Sequence, residues 1–147
     1  MEASQEKSWI SLLLRIAVAS LFIGAVVPKF REGMDLVAAF QGMFQGTWLP
    51  MPLVKLHARL TPWAELLIPI WLISGFRLRW AWLFTGLFII SLAFGMIVAK
   101  QGPSAADNYS YLLLAIAGLY FSRFDTLNVD AILGGKGGDC CGGTSCH

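Results

Sequence analysis

Charge is scarce in this chain of 147 residues: Asp, Glu, Lys and Arg make up 14%, against roughly 25% in an ordinary soluble domain. Between Trp80 and Ala99 there is none at all. Cysteine is missing from everything before Cys140, so no disulfide framework can hold the body of the protein together. Histidine occurs only as His57 and His147, too few for a pair of haem ligands inside a membrane. There is no glycine-rich nucleotide loop and no nucleophile–base motif. These absences point to a subunit rather than a self-sufficient enzyme. The net charge of +2 is too small to suggest a nucleic-acid partner.

Apolar residues take the place of charge. They form 56% of the chain, more than a soluble fold of this size can hide, since such a domain buries only about two-thirds of its surface. They are gathered in four runs: Ile10 to Val27, Leu60 to Phe76, Trp80 to Ala99, and about Ala105 to Phe121. A helix crossing a ~30 Å hydrocarbon core needs about 20 residues, with ~17 as the lower limit. The pattern predicts an all-α integral membrane protein, a bundle of four transmembrane helices over residues 1–133 with lipid around it, followed by a tail of residues 134–147. The first run is not a cleaved leader by pattern: no A-x-A-like site follows it, and it runs into Pro28-Lys29-Phe30.

The first connection, Lys29 to Arg59, is itself apolar. Met34, Val37, Phe40 or Gln41, and Phe44 recur at three-to-four-residue spacing, which suggests a short amphipathic helix lying in the membrane interface. Beyond it, Trp48-Leu49-Pro50-Met51-Pro52-Leu53 reads as irregular chain, because two prolines break regular structure. The segment is either a lid over the bundle or the wall of a pocket for a lipid-like ligand such as a quinone. His57 falls in this connection, where a solvated role is expected. The short turn carrying Arg77 and Arg79 should remain in the cytoplasm. With four spans, both termini of a bacterial-type inner-membrane protein would then be cytoplasmic as well. The opposing signal is the group Lys29, Arg31, Lys55 and Arg59 in the longer connection.

Arg15 and Glu65 fall deep within the apolar runs, and each costs at least ~2.5–3.5 kcal/mol there unless it has a partner or a task. Arg15 can reach towards Asp125, or towards Thr85 or Ser91. At the other end of the bundle, Lys29 can turn down to Glu65, with Asn108 and Tyr109 at a similar depth. On one reading these pairs only hold helices together. On the other, Lys29, Glu65, Asn108 and Tyr109 form a polar pocket in which Glu65, the candidate catalytic residue, accepts a proton.

Arg15, Gly24 and Pro28-Lys29-Phe30 together resemble the first helix of DoxX-like membrane proteins. Pro62-Trp63-Ala64-Glu65-Leu66 with Gly75 and Arg77 is similar to their second. Asn108 to Leu114, closed by Arg123-Phe124-Asp125 and Asp130, is similar to their fourth. The resemblance runs from Ile10 to about Leu133. It implies a four-helix membrane bundle and partner proteins. Relatives include a small subunit of a thiosulfate:quinone oxidoreductase and membrane partners in thiol redox and in methylamine-dehydrogenase maturation. The expectation that follows is a redox subunit coupling thiol or sulfur chemistry to quinone.

The tail departs from that pattern. Cys140, Cys141 and Cys146 stand beside His147 among glycines, a ligand set suited to zinc, copper or an iron–sulfur cluster. Thiol exchange needs only two of the cysteines and is the competing reading. The function classes left open are a redox subunit, a soft-metal handler, and an accessory that anchors a larger complex.

Overall fold

The computed structural model describes residues 2–31 and 35–125, and the side chains from residue 5 onward. Five α-helices follow one another: α1 (Glu2–Arg31), α2 (Leu36–Phe44), α3 (Met51–Ser74), α4 (Leu78–Val98) and α5 (Gly102–Phe121). A 3₁₀ turn over Ser122–Phe124 closes the described chain. No strand occurs among the described residues.

Helix α1 buries Ser8, Ser11, Arg15, Val18, Phe22 and Val26, a stripe in steps of three or four. Helix α3 repeats the device with Val54, Ala58, Thr61, Glu65, Ile68 and Leu72. That spacing keeps one narrow face towards neighbouring helices over the whole length of an α-helix. The remaining faces are not polar. Leu13, Ile16 and Ile23 of α1, Leu60, Leu67 and Ile70 of α3, Leu87 and Ile90 of α4, and Leu113 and Ile116 of α5 all lie exposed. A soluble bundle would present charge there, whereas this one puts its polar groups inside and its leucines outside, which is the arrangement for a lipid solvent. By length and composition α1 and α4 can each cross a membrane. Helix α3 is 24 residues long and α5 is 20, but their charged and polar residues dilute the apolar run.

Packing runs α1 against α3, α3 against α4, α4 against α5, and α5 back against α1, with α2 laid across α3. The centre holds Val18, Phe22, Ile68, Leu72, Trp82, Ile89 and Ala115. Gly118 of α5 lets the two helices meet there: a Cβ at this position would overlap the six-membered ring of Trp82. The α3–α4 turn is built on Gly75, whose φ of 70° places it in the left-handed region and whose N–H closes on the Trp71 carbonyl.

Two expectations about the first connection change. Residues 36–44 do form a short helix, capped by Asp35, whose carboxylate accepts from the N–H groups of Val37 and Ala38. The stretch after it is not irregular as far as Arg59, because α3 begins at Met51. Pro50 sits at its cap and Pro52 in its first turn, positions where a missing N–H costs nothing. His57 therefore lies within a helix rather than in a solvated loop. Prolines 62 and 69 remain inside α3.

Candidate functional site

Two cavities lie side by side in the bundle. The larger, of about 200 Å³, is enclosed by Phe40 and Phe44 of α2, Leu49, Leu53, Val54 and His57 around the start of α3, and Ser91, Leu92, Phe94, Gly95 and Met96 of α4. Its wall is apolar except at His57 and Ser91. Helix α2 forms its cover, with Phe40 and Phe44 stacked at 6.1 Å. Phe44 packs over Gly95 of α4, where a Cβ would meet the ring at an ordinary contact distance of 3.5 Å.

His57 is held firmly. Phe88 stacks parallel to its ring at 6.5 Å between centroids, and Phe40 tilts against it at 6.4 Å. Nε2 lies 3.2 Å from the Ser91 hydroxyl and Nδ1 lies 3.2 Å from that of Thr61. Both hydroxyls already donate to backbone carbonyls, Thr61 to His57 at 2.8 Å and Ser91 to Phe88 at 2.7 Å. Each oxygen is thus offered to the imidazole as an acceptor. A neutral imidazole has one N–H for these two acceptors, so its proton has a ready place at either nitrogen.

The smaller cavity, of about 100 Å³, touches all four long helices. Val18, Leu21, Phe22 and Ala25 line it from α1, Glu65 from α3, Ile89 and Leu92 from α4, and Asn108 and Tyr111 from α5. Leu92 lines both cavities. Lys29 Nζ lies 2.6 Å from each Glu65 oxygen, an ion pair with Glu65 buried and Lys29 partly exposed. Asn108 bonds back to the Ser104 carbonyl at 3.0 Å. Tyr109 does not line this cavity; Tyr111, itself 39% exposed, takes the place that the sequence suggested for Tyr109.

Arg15 and Asp125 form a separate group at the opposite end of the bundle. The Arg15 Nη1 to Asp125 Oδ2 distance is 3.1 Å, with both side chains almost fully buried. Ser11 donates to the same oxygen at 2.9 Å. Nε and Nη2 of Arg15 donate to the Leu72 and Ile73 carbonyls, each at 2.7 Å. These two carbonyls lie in the last turn of α3, where helix acceptors lack intrahelical partners. Thr85 and Ser91, the other partners considered for Arg15, bond to carbonyls of α4 instead. This group ties α1, α3 and the end of the 3₁₀ turn together and lines neither cavity.

His57, Thr61, Ser91 and Tyr111 escaped sequence reasoning as site residues. The signal for the first two was there: His57, Thr61 and Glu65 stand four apart, in phase with the buried stripe of α3. Ser91 and Tyr111 carried no such mark. Cys140, Cys141, Cys146, His147 and Asp130 lie outside the described residues. Among the described residues no three metal-binding side chains converge.

The DoxX family model matches residues 10–98, from the apolar part of α1 to the end of α4. It leaves out α5, where Asn108 to Asp125 also suggested the resemblance. No curated protein and no solved structure matches the chain. With the match covering more than half its length, and with apolar helices whose outer faces suit lipid, this chain belongs to the DoxX family of membrane proteins.

Proposed function

We propose that this protein is a membrane redox subunit that holds a quinone ring in the cavity under α2 and works with partner proteins that carry the thiol or sulfur chemistry. One observation carries the reading: a lidded, apolar cavity whose polar groups, His57 and Ser91, sit together on one wall. A quinone needs aromatic and aliphatic surface for its ring and a hydrogen-bond donor for its oxygen, and the His57 imidazole beside Ser91 supplies that donor. The volume of about 200 Å³ is below the ~300–1,000 Å³ of sites that enclose a whole drug-sized ligand. It suits a substituted ring whose isoprenoid tail stays in lipid.

The same reading has the bundle cross a bacterial-type inner membrane four times, with α2 in the interface. Antiparallel packing of the four long helices supports this, as do outer faces of leucine and isoleucine on α3 and α5 as well as on α1 and α4. Arg77 and Arg79 in the tight α3–α4 turn favour a cytoplasmic position for that turn and for both termini. The tail cysteines Cys140, Cys141 and Cys146 with His147 are a candidate soft-metal site on that face, supported by the density of soft ligands in the sequence.

The test is binding of a short-chain quinone, decylubiquinone, to the purified protein in lipid nanodiscs. Saturable binding that is lost in His57→Ala and weakened in Phe44→Ala is expected. Binding no tighter than to empty nanodiscs overturns the reading.

A further inference from the structure

The polar groups around His57 do not end at the cavity wall. Ser91, His57 and Thr61 form a continuous line of hydrogen-bond contacts, 3.2 Å at each ring nitrogen. Thr61 is 2% exposed and Glu65, one helical turn further on, is 4% exposed. Residues four apart on a helix have Cβ atoms ~5–6 Å from one another, a gap that one water spans with two hydrogen bonds. Glu65 borders the smaller cavity, which at about 100 Å³ has room for roughly three waters at ~30 Å³ each. Asn108 and Tyr111 give that cavity further polar lining from α5, and Lys29 reaches Glu65 from α1.

This arrangement is unusual in what it conceals. Had Thr61 served only to brace α3, its bond to the His57 carbonyl would suffice, and Lys29 by itself answers the Glu65 charge. Instead the imidazole, the hydroxyl and the carboxylate lie in order along the same inward face of one helix, leading from the apolar cavity to the polar one. Leu92 lines both cavities from α4.

We propose that His57, Thr61 and Glu65 form a proton relay that connects the quinone site to the smaller cavity, with the Lys29–Glu65 pair as its store; this rests on the quinone reading above. A quinone becomes a quinol by taking two electrons and two protons, and a pair of thiols on a partner supplies the electrons as it becomes a disulfide. At the quinone oxygen beside His57 an O–H bond forms as the Nε2–H bond breaks. The Thr61 hydroxyl turns from the His57 carbonyl and gives its proton to Nδ1. Thr61 regains one across the smaller cavity through the Glu65 carboxylate, ultimately from the Lys29 ammonium. Of the two protons that the partner's thiols release, one restores Lys29 and the other reaches the second quinone oxygen. Quinol oxidation runs the same path in reverse.

The experiment uses the full-length protein in nanodiscs loaded with decylubiquinol and mixed rapidly with ferricyanide. Each quinol then gives two electrons to two ferricyanide ions and two protons to solvent, and a pH-sensitive dye follows the protons. In Thr61→Val release of the relayed proton, one of the two, should slow about a hundredfold, the lower part of the range for a positioned proton-transfer group, while Thr61→Ser keeps the original rate. The double change Lys29→Met with Glu65→Gln, which leaves no unpaired buried charge, should slow release similarly. Unchanged release in Thr61→Val and in the double variant, with quinol still bound, overturns the relay and leaves the quinone site standing. Loss of quinol binding in Thr61→Val assigns that hydroxyl to holding the ring and overturns the relay as well. Failure of the unaltered protein to bind quinol overturns both.

Discussion

Single side chains decide how tightly this bundle closes. Trp82 fills the centre at 1% exposure, and the absence of a side chain at Gly118 is what admits it. Gly118→Ala should therefore destabilise the protein by about 1–3 kcal/mol, the usual cost of overpacking a filled core, seen as a lower thermal midpoint in detergent. Gly86, whose added Cβ would sit at an ordinary 3.7 Å from Leu112, should tolerate the same change. The Arg15–Asp125 pair makes a sharper prediction. Asp125→Asn leaves the arginine charge buried without its carboxylate, at a cost of about 3–5 kcal/mol. Quinone binding should persist in whatever fraction stays folded, because neither residue lines the cavity. A variant as stable as the original would show that Arg15 is satisfied without the carboxylate charge.

Among the elements, α2 differs most from its neighbours. It has nine residues and buries only Phe44, so little besides its cap and its contact with α3 holds it in place. Isolated helices of this length are not stable. The Asp35 cap carries two of its free N–H groups, and Asp35→Ala should cost about 1 kcal/mol. That loss falls on the lid. Quinone affinity should drop several-fold while the thermal midpoint of the four long helices hardly moves, a split that calorimetry and binding on the same sample would resolve. A midpoint that falls together with affinity would mean that α2 is part of the cooperative core. Helix α3 was half legible in the sequence: its apolar run gave Leu60 to Phe76, but two prolines near Met51 hid its first turns. Proline at a helix start needs no partner for its missing N–H, so the break expected at that point is instead the beginning of a helix.

For the molecule as a whole, the described helices start and finish at one end of the bundle, since Ser11 of α1 and Asp125 after α5 share a hydrogen bond. Reporter fusions at Met1 and at His147 should therefore give the same sidedness, cytoplasmic for both, and opposite signals would overturn the four-span reading. The tail carries a prediction at this scale too. Purified under reducing conditions without chelators, the protein should carry stoichiometric zinc, copper or iron. Cys140→Ser, Cys141→Ser and Cys146→Ser should each remove most of it. One dispensable cysteine, or no metal at all, favours thiol exchange.

The sequence by itself determined the solvent and the helices. Long apolar runs with hardly any charge can be satisfied only by lipid, and a backbone in lipid must bond to itself, which leaves helices as the natural solution for runs of this length. It also marked the charges that would need partners, because an arginine or glutamate in such a run is costly wherever it points. Tertiary structure alone decided which partners they met and what lay between them. Tyr111 rather than Tyr109 lines the smaller cavity, on a helix that packs its Gly118 against Trp82, a contact between residues 36 positions apart in the chain. His57 became a cavity residue because α2 folds back over α3 and α4 brings Ser91 and Phe88 against the ring. Periodicity reports the face of a helix that turns inward; it does not report the neighbour that the face will find there.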